Sequence, residues 1–234
     1  MKYTFSVIIG TYNQAPVIGK MAESLLRQTC QDFEIHLCDD GSTDGTREAF
    51  EKALHPILKK RYTYHRQENK GMRLARNVNH GIVAARGDYC VFVMGDSYLD
   101  ERYLEVFRQF VRPTRILCGV RYQIVNGIGV DVDWRLKRGV IPQENVMLPK
   151  HPYNDTTGNG LVVPTDALRR YGGWDETIEG YGGDDTELVA RLYFKGYTVH
   201  SIVDARLYHH WHKASESANN EAVTKLVRKY NHAD

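Results

Sequence analysis

The chain has 234 residues, of which 42% are hydrophobic, 26% charged and 11% aromatic, a make-up that excludes collagen-like, coiled-coil and disordered classes and allows a full core. Thirty-one basic against 29 acidic residues leave a net charge of +2, too little to draw the whole molecule to nucleic acid or membrane. No apolar run approaches the roughly 20 residues of a membrane span, and the opening MKYTFSVIIG lacks the apolar core and cleavage site of a signal peptide, so no membrane anchor and a cytoplasmic location are expected.

In chain order, Phe5 to Ile9 is a short apolar, β-branched run and reads as a buried strand. Pro16 can start a helix, and Val17, Met21, Leu25 and Leu26 recur at helical spacing. Phe33 to Cys38 alternates like a strand. Ser42, Thr43 and Asp44 are N-cap types ahead of a helix through Ala53. Arg61 to His65 reads as a third strand, Asn69 to Ala85 as a helix ended by Gly87, and Tyr89 to Met94 as a continuous apolar strand. Leu104, Phe107 and Phe110 mark another helix. This alternation implies βαβ units and a parallel sheet. The second half is less regular. Ile116 to Val125 and Leu161 to Val163 read as strands, and polar Asn126 to Asp155 as a functional flap or a flexible insertion. Asp184 to Phe194 reads as a helix, Tyr197 to Val203 as a strand, and Ala218 to Tyr230 as a final amphipathic helix. Without repeats or a clear linker, a single domain over residues 1–234 is expected.

Ligands of such sheets bind at the carboxyl ends of the strands. After Ile9 comes Gly10-Thr11-Tyr12-Asn13, and after Cys38 comes DDGSTDGT. Two acids at a strand end, then glycine and a helix start, form a polar cradle. Asp44 reads as a cap and Asp40 as a ligand contact; Asp39 stays open between the two. After Met94 comes Gly95-Asp96-Ser97, where Asp96 suits a hard divalent cation shared with phosphate oxygens. Cys30, Cys38, Cys90 and Cys118 are scattered with no C-x-x-C pair, as expected of buried reduced thiols.

At these residues the chain resembles family 2 glycosyltransferases, the inverting, nucleotide-sugar-dependent group with the GT-A fold. SVIIGTYN and DDGSTDGT resemble the nucleotide-binding turns of that family. ENKGMRLARNVNHGIVAARGDYCVFVMGDS resembles the segment leading to its metal motif, and YGGWDETIEGYGGDDTELVARLYFKGY its acceptor-side block. The resemblance runs from about Ser6 to His212. It implies an α/β, GT-A (Rossmann-like), mostly parallel sheet flanked by helices, with an acceptor-side flap and a C-terminal helix. Residues 1–97 would be the nucleotide-sugar-binding half, 98–212 the acceptor-binding half and 213–234 the C-terminal helix.

The resemblance also implies roles. Thr11 and Tyr12 would line the base pocket, Asp40 would hydrogen-bond a uracil-type base, and Arg76 would lie near the donor diphosphate or sugar. Asn77 is expected to be structural. Asp96 would be the metal-binding acid of a D-x-D motif whose first acid is here Met94, a residue that offers a hard cation no oxygen. LYHHWH is similar to the family's late histidine motif, so His209 would complete the metal site, with His212 as runner-up. One imidazole among oxygens favours Mn²⁺ over Mg²⁺. Asp185 would be the general base and Asp184 would hold the acceptor, while Trp174 and Tyr181 could stack on an acceptor ring or pack in the core. Glu187 is expected to be structural.

The donor would be a nucleotide-sugar, with UDP favoured, and the acceptor a soluble glycan or small molecule. Asp133-Trp134-Arg135-Leu136-Lys137-Arg138 and Arg169-Arg170 add basic residues on the acceptor side, so DNA bearing a hydroxylated base stands as a minority alternative. Two further alternatives remain. A nucleotidyltransferase would need a Gly-rich, Lys- or Arg-containing signature that GTYNQAP lacks, and a non-catalytic nucleotide-sugar or glycan-binding module has only the missing first acid in its favour.

Overall fold

The computed structural model describes residues 3–125, 129–131, 133–139, 144–148, 152–180 and 182–210. The elements run β1 (Tyr3–Thr11), α1 (Ile18–Leu26), β2 (Phe33–Asp39), α2 (Thr46–Ala53), α3 (Pro56–Lys59), β3 (Tyr62–Arg66), α4 (Leu74–Ala84), β4 (Gly87–Met94), β5 (Ser97–Leu99) and α5 (Tyr103–Phe110). They continue with β6 (Arg115–Val125), β7 (Gly129–Asp131), α6 (Trp134–Lys137), β8 (Val146–Met147), a 3₁₀ turn at Pro152–Asp155, β9 (Leu161–Pro164), α7 (Thr165–Tyr171), α8 (Asp184–Tyr193) and β10 (Thr198–His210).

All these strands join one sheet with the order β3-β2-β1-β4-β9-β6-β10-β5. Strands β1 to β4 pair in parallel. Strand β9 then runs antiparallel to both β4 and β6, β10 pairs parallel to β6, and β5 closes the edge antiparallel to β10. On this path only β9 and β5 run against the rest, so the sheet is mostly parallel. β7 and β8 add short antiparallel pairings to β6 and β10.

Burial on both faces explains the near-continuous apolar runs. Val7, Ile9, Val91 and Val93 point to one face, where Met21, Leu25, Phe50, Leu104 and Phe107 from α1, α2 and α5 pack. Ile8, Cys90 and Phe92 point to the other, against Val78 and Ile82 of α4, Leu168 of α7 and Leu188 and Leu192 of α8. All four cysteines are buried and none forms a disulfide. Burial pushes the Cys38 and Cys90 thiols up to about 12. No helix among the described residues is long and apolar enough to cross a membrane.

Three elements differ from expectation. Helix α4 starts at Leu74 rather than Asn69, because residues 69–73 wrap Asp40 instead: Asn69 Nδ2 donates to the Asp40 carbonyl and the Arg73 N–H to its carboxylate. Gly87 opens β4 rather than capping α4; a Cβ there would stand 2.5 Å from the Phe5 carbonyl carbon. Strand β10 runs on to His210, with its register against β6 shifted between Ser201 and Arg206. The late histidines at 209 and 210 therefore lie on a strand inside the sheet. His212 and the expected C-terminal helix lie outside the described residues.

Candidate active site

The carboxyl ends of β1 and β2 are laced together. Asn13 N–H donates to Ser42 Oγ, Thr43 N–H to Asn13 Oδ1, Gln14 N–H to Thr46 Oγ1 and Ala15 N–H to Asp44 Oδ2. Asp44 also accepts from the Thr46 N–H and hydroxyl at the start of α2, so it forms a turn just ahead of that helix, whose N-cap is Gly45 rather than Asp44. Asp39 is a turn residue: it accepts from the Ser42 N–H and hydroxyl and from the Tyr64 hydroxyl. Asp40 is buried, with Gln67 Nε2 at 2.6 Å and Arg73 N–H at 3.2 Å. Thr11 is buried and donates to Gln14 Oε1, while Tyr12 beside it is 48% exposed. Arg76 is exposed on the first turn of α4. Asn77 is buried and ties α4 to the Cys38 carbonyl.

At the end of β4 the structure brings Asp96 and His209 together, with Asp96 Oδ2 and His209 Nε2 3.2 Å apart. Two neighbouring ligands on one cation, bonded at about 2.2 Å and roughly at right angles, stand about 3.1 Å apart, so the pair fits a shared divalent ion. Among the described residues no third His, Cys, Asp or Glu completes a group of three; further ligands would have to come from phosphate oxygens and water. Met94, in place of a first acid, packs its thioether against Gly10 and the α4 side of the sheet.

The two acids of the acceptor block open α8. Gly182 and Gly183 reach φ +94°, a left-handed backbone that glycine adopts without strain, and this turn delivers Asp184 and Asp185 to the helix N-terminus. Asp185 Oδ1 accepts from the Thr186 N–H at 2.7 Å and Oδ2 from the Gly158 N–H at 2.6 Å. Asp184 is buried and accepts from the Asp185 N–H. Burial, and after it the Asp185 charge, push Asp184 up to about 7. Burial also pushes Asp185 up, against the hydrogen bonds from Gly158 and Thr186. One turn on, Glu187 pairs with Arg191, whose guanidinium also holds the carbonyls of Tyr171, Gly172 and Gly173.

The acid pair and the Asp96–His209 pair are joined by a turn that sequence reasoning passed over. Gly158 N–H binds Asp185; the next residue, Asn159, donates to Ser97 Oγ at 2.9 Å and accepts from Met94 N–H at 3.2 Å. Ser97 Oγ in turn reaches Asp96 Oδ1. The run TTGNG ahead of an apolar strand marks a turn, but nothing in it names these partners.

Several acceptor-side expectations are corrected. Trp174 is 2% exposed, with Phe92 edge-on to it and Gly158 against its outer ring atoms, so it packs in the core and has no free face for an acceptor ring. Tyr181 lies outside the described residues. Arg135 is not a surface charge: it is 1% exposed and spends its donors on Asp133, the carbonyls of Gly119 and Asp155, and Cys118 Sγ. Arg169 donates to the Ala85 carbonyl, just before the amino end of β4 and so at the opposite end of that strand from Asp96. Arg135 is thus held inside the fold and Arg169 at the far end of β4.

The glycosyl transferase family 2 profile matches residues 6–170, and the profile described as the N-terminal domain of galactosyltransferase matches residues 143–213. EpsE of Bacillus subtilis, described as a putative glycosyltransferase, is 30% identical over 86% of this chain and 70% of its own. The chondroitin synthase of Escherichia coli is 24% identical over 95% of this chain but only 37% of its own length. Among solved structures, residues 1–349 of S. aureus TarS in complex with UDP-GlcNAc superpose with a TM-score of 0.73 at 20% identity, over 98% of this chain and 65% of that one. The fold is thus GT-A, and the chain belongs to glycosyltransferase family 2.

Proposed function

We propose that this glycosyltransferase moves a sugar from a UDP-sugar to a hydroxyl of a soluble acceptor with inversion at the anomeric carbon. The observation that carries this reading is the turn at 157–159, which fastens Asp185 on one side and the Asp96–His209 pair on the other. A base and a charge-stabilising pair are thereby fixed in one frame at the strand ends, as in-line displacement needs.

Asp40, with Thr11 and Tyr12, lies at the β1 and β2 ends where the base of the nucleotide would sit, and exposed Arg76 would meet the donor's diphosphate. Asp96 and His209 would hold a divalent cation, Mn²⁺ by donor chemistry; bound there it supplies positive charge to the departing diphosphate. Asp185 takes the acceptor proton as the hydroxyl oxygen attacks. Its two backbone hydrogen bonds orient the carboxylate and leave lone pairs free, and its raised proton affinity makes it a stronger base near neutral pH. Asp184 orients the acceptor. The UDP-GlcNAc complex of TarS supports the choice of donor nucleotide.

The test is nucleotide release and transfer from a panel of UDP-, GDP- and dTDP-sugars with Mn²⁺, beside Asp185→Asn. Turnover of a UDP-sugar by the parent and a loss of about 10²–10⁴-fold in the variant are expected. Failure to bind or turn over any donor, or full transfer by Asp185→Asn, refutes the proposal.

A further inference from the structure

Strand β10 carries His209 between two neighbours. In register, Ser97 of β5 stands opposite it on one side and Gln123 of β6 on the other. Residues aligned across strands share a face, so Ser97, His209 and Gln123 form one row. Both outer members meet the site: Ser97 Oγ is 3.3 Å from Asp96 Oδ1, and Gln123 Oε1 is 3.2 Å from His209 Nδ1.

We propose that Gln123 is the positioning residue of the cation site: its side-chain carbonyl takes the Nδ1 proton of His209 and so turns the Nε2 lone pair toward the position shared with Asp96. The inference rests on the assignment of Asp96 and His209 to a cation. An imidazole has one proton between two nitrogens when neutral, and the hydrogen bond made by one nitrogen decides which is left to ligate. A ligating histidine almost always gives its other N–H to such an acceptor, and losing that partner weakens metal affinity by about 10- to 100-fold. Here the acceptor is an uncharged amide carried on a strand rather than a loop, so the ring plane is set by the sheet itself. The backbone at Gln123 is held on both sides, because β6 is paired there with β10 at His209 and with β7 at Asp131.

The test measures Mn²⁺ affinity by electron paramagnetic resonance in the presence of UDP, for the parent, Gln123→Leu, Gln123→Glu and His209→Ala. Gln123→Leu keeps the volume and loses the acceptor; a 10- to 100-fold weaker affinity is expected, while Gln123→Glu, which still accepts from Nδ1, stays within about threefold of the parent. Parent-like affinity in Gln123→Leu, with His209→Ala weakened, overturns the role of Gln123. Equal weakening in Gln123→Leu and Gln123→Glu overturns it too, since packing rather than the acceptor would then matter. Parent-like affinity in His209→Ala refutes the cation site itself. Should Gln123→Leu fail to fold, Gln123→Asn withdraws the same carbonyl by one methylene and gives the same readout.

Discussion

Replacing Gly158 with alanine tests whether the 157–159 turn holds the catalytic frame. A Cβ on Gly158 would stand 2.6 Å from Trp174 Cη2 and 3.2 Å from Asp185 Cβ. The contact with the indole must open by about 0.8 Å to reach ordinary van der Waals distance. Trp174 is buried and wedged against Phe92, so the turn has to retreat. That retreat stretches the 2.6 Å bond from Gly158 N–H to Asp185 and carries Asp185 with it. Overpacking of this kind costs about 1–3 kcal/mol of stability, and a displacement approaching 1 Å at a reacting group costs about 10²-fold in rate. The expected result is a kcat about 100-fold down with the donor KM little changed, read by nucleotide release beside a thermal melt. Adding Trp174→Phe removes the outer indole atoms, and the Trp174 Nε1 has no hydrogen-bond partner to lose. The double variant should therefore recover most of the lost kcat. Parent-like kcat in Gly158→Ala, or a double variant no better than the single one, refutes the reasoning.

Other tests follow from charge and burial. Because burial raises both Asp184 and Asp185, the base form is lost as pH falls, so kcat should decline on the acid side; Asp184→Asn removes one charge and should move that limb to lower pH, whatever its height, and an unmoved limb contradicts the coupling. Glu34 is buried, which raises it, but hydrogen bonds from His36, the Arg86 N–H, Ser6 and the Arg86 guanidinium prevail and hold it at about 2 against an ordinary 4.5. Its stabilisation is thus complete above pH 4.5 and fades as pH falls toward 2. Glu34→Gln should cost about 3 kcal/mol at pH 7 and about 1 at pH 3 in urea unfolding; a gap independent of pH rules this out. Arg135→Ala leaves Asp133 buried without its partner and should lower stability by about 3–5 kcal/mol, whereas a variant as stable as the parent in chemical unfolding would return Arg135 to the surface.

The parallel half was legible because β1, β2 and β4 are apolar runs closed by glycine or aspartate, and helical periods lie between the strands. Asp40, Asp96 and Asp184–Asp185 stand out for the same reason, as acids at strand ends or a helix start. Strand β5 was not legible: three residues between two turns carry no period, and its partner β10 lies more than a hundred positions away. The helix reading at Asn69 failed because Asp40 competes for the backbone of residues 69–73, a tertiary demand that local pattern does not register. Arg135 was misplaced because composition cannot tell a guanidinium fully bonded in the core from one in water. Gln123 was passed over since a single polar residue in a strand does not announce which neighbour it will meet across the sheet.

The edge position of β5 has a consequence for how the molecule is made. Asp96 leaves β4 early in the chain, yet its partner His209 arrives only when β10 has threaded between β6 and β5. The pocket proposed for the nucleotide, built from β1, β2 and the start of α4, draws on none of those late pairings. Long-range pairings of this kind form late, so during refolding UDP binding should appear before tight Mn²⁺ binding.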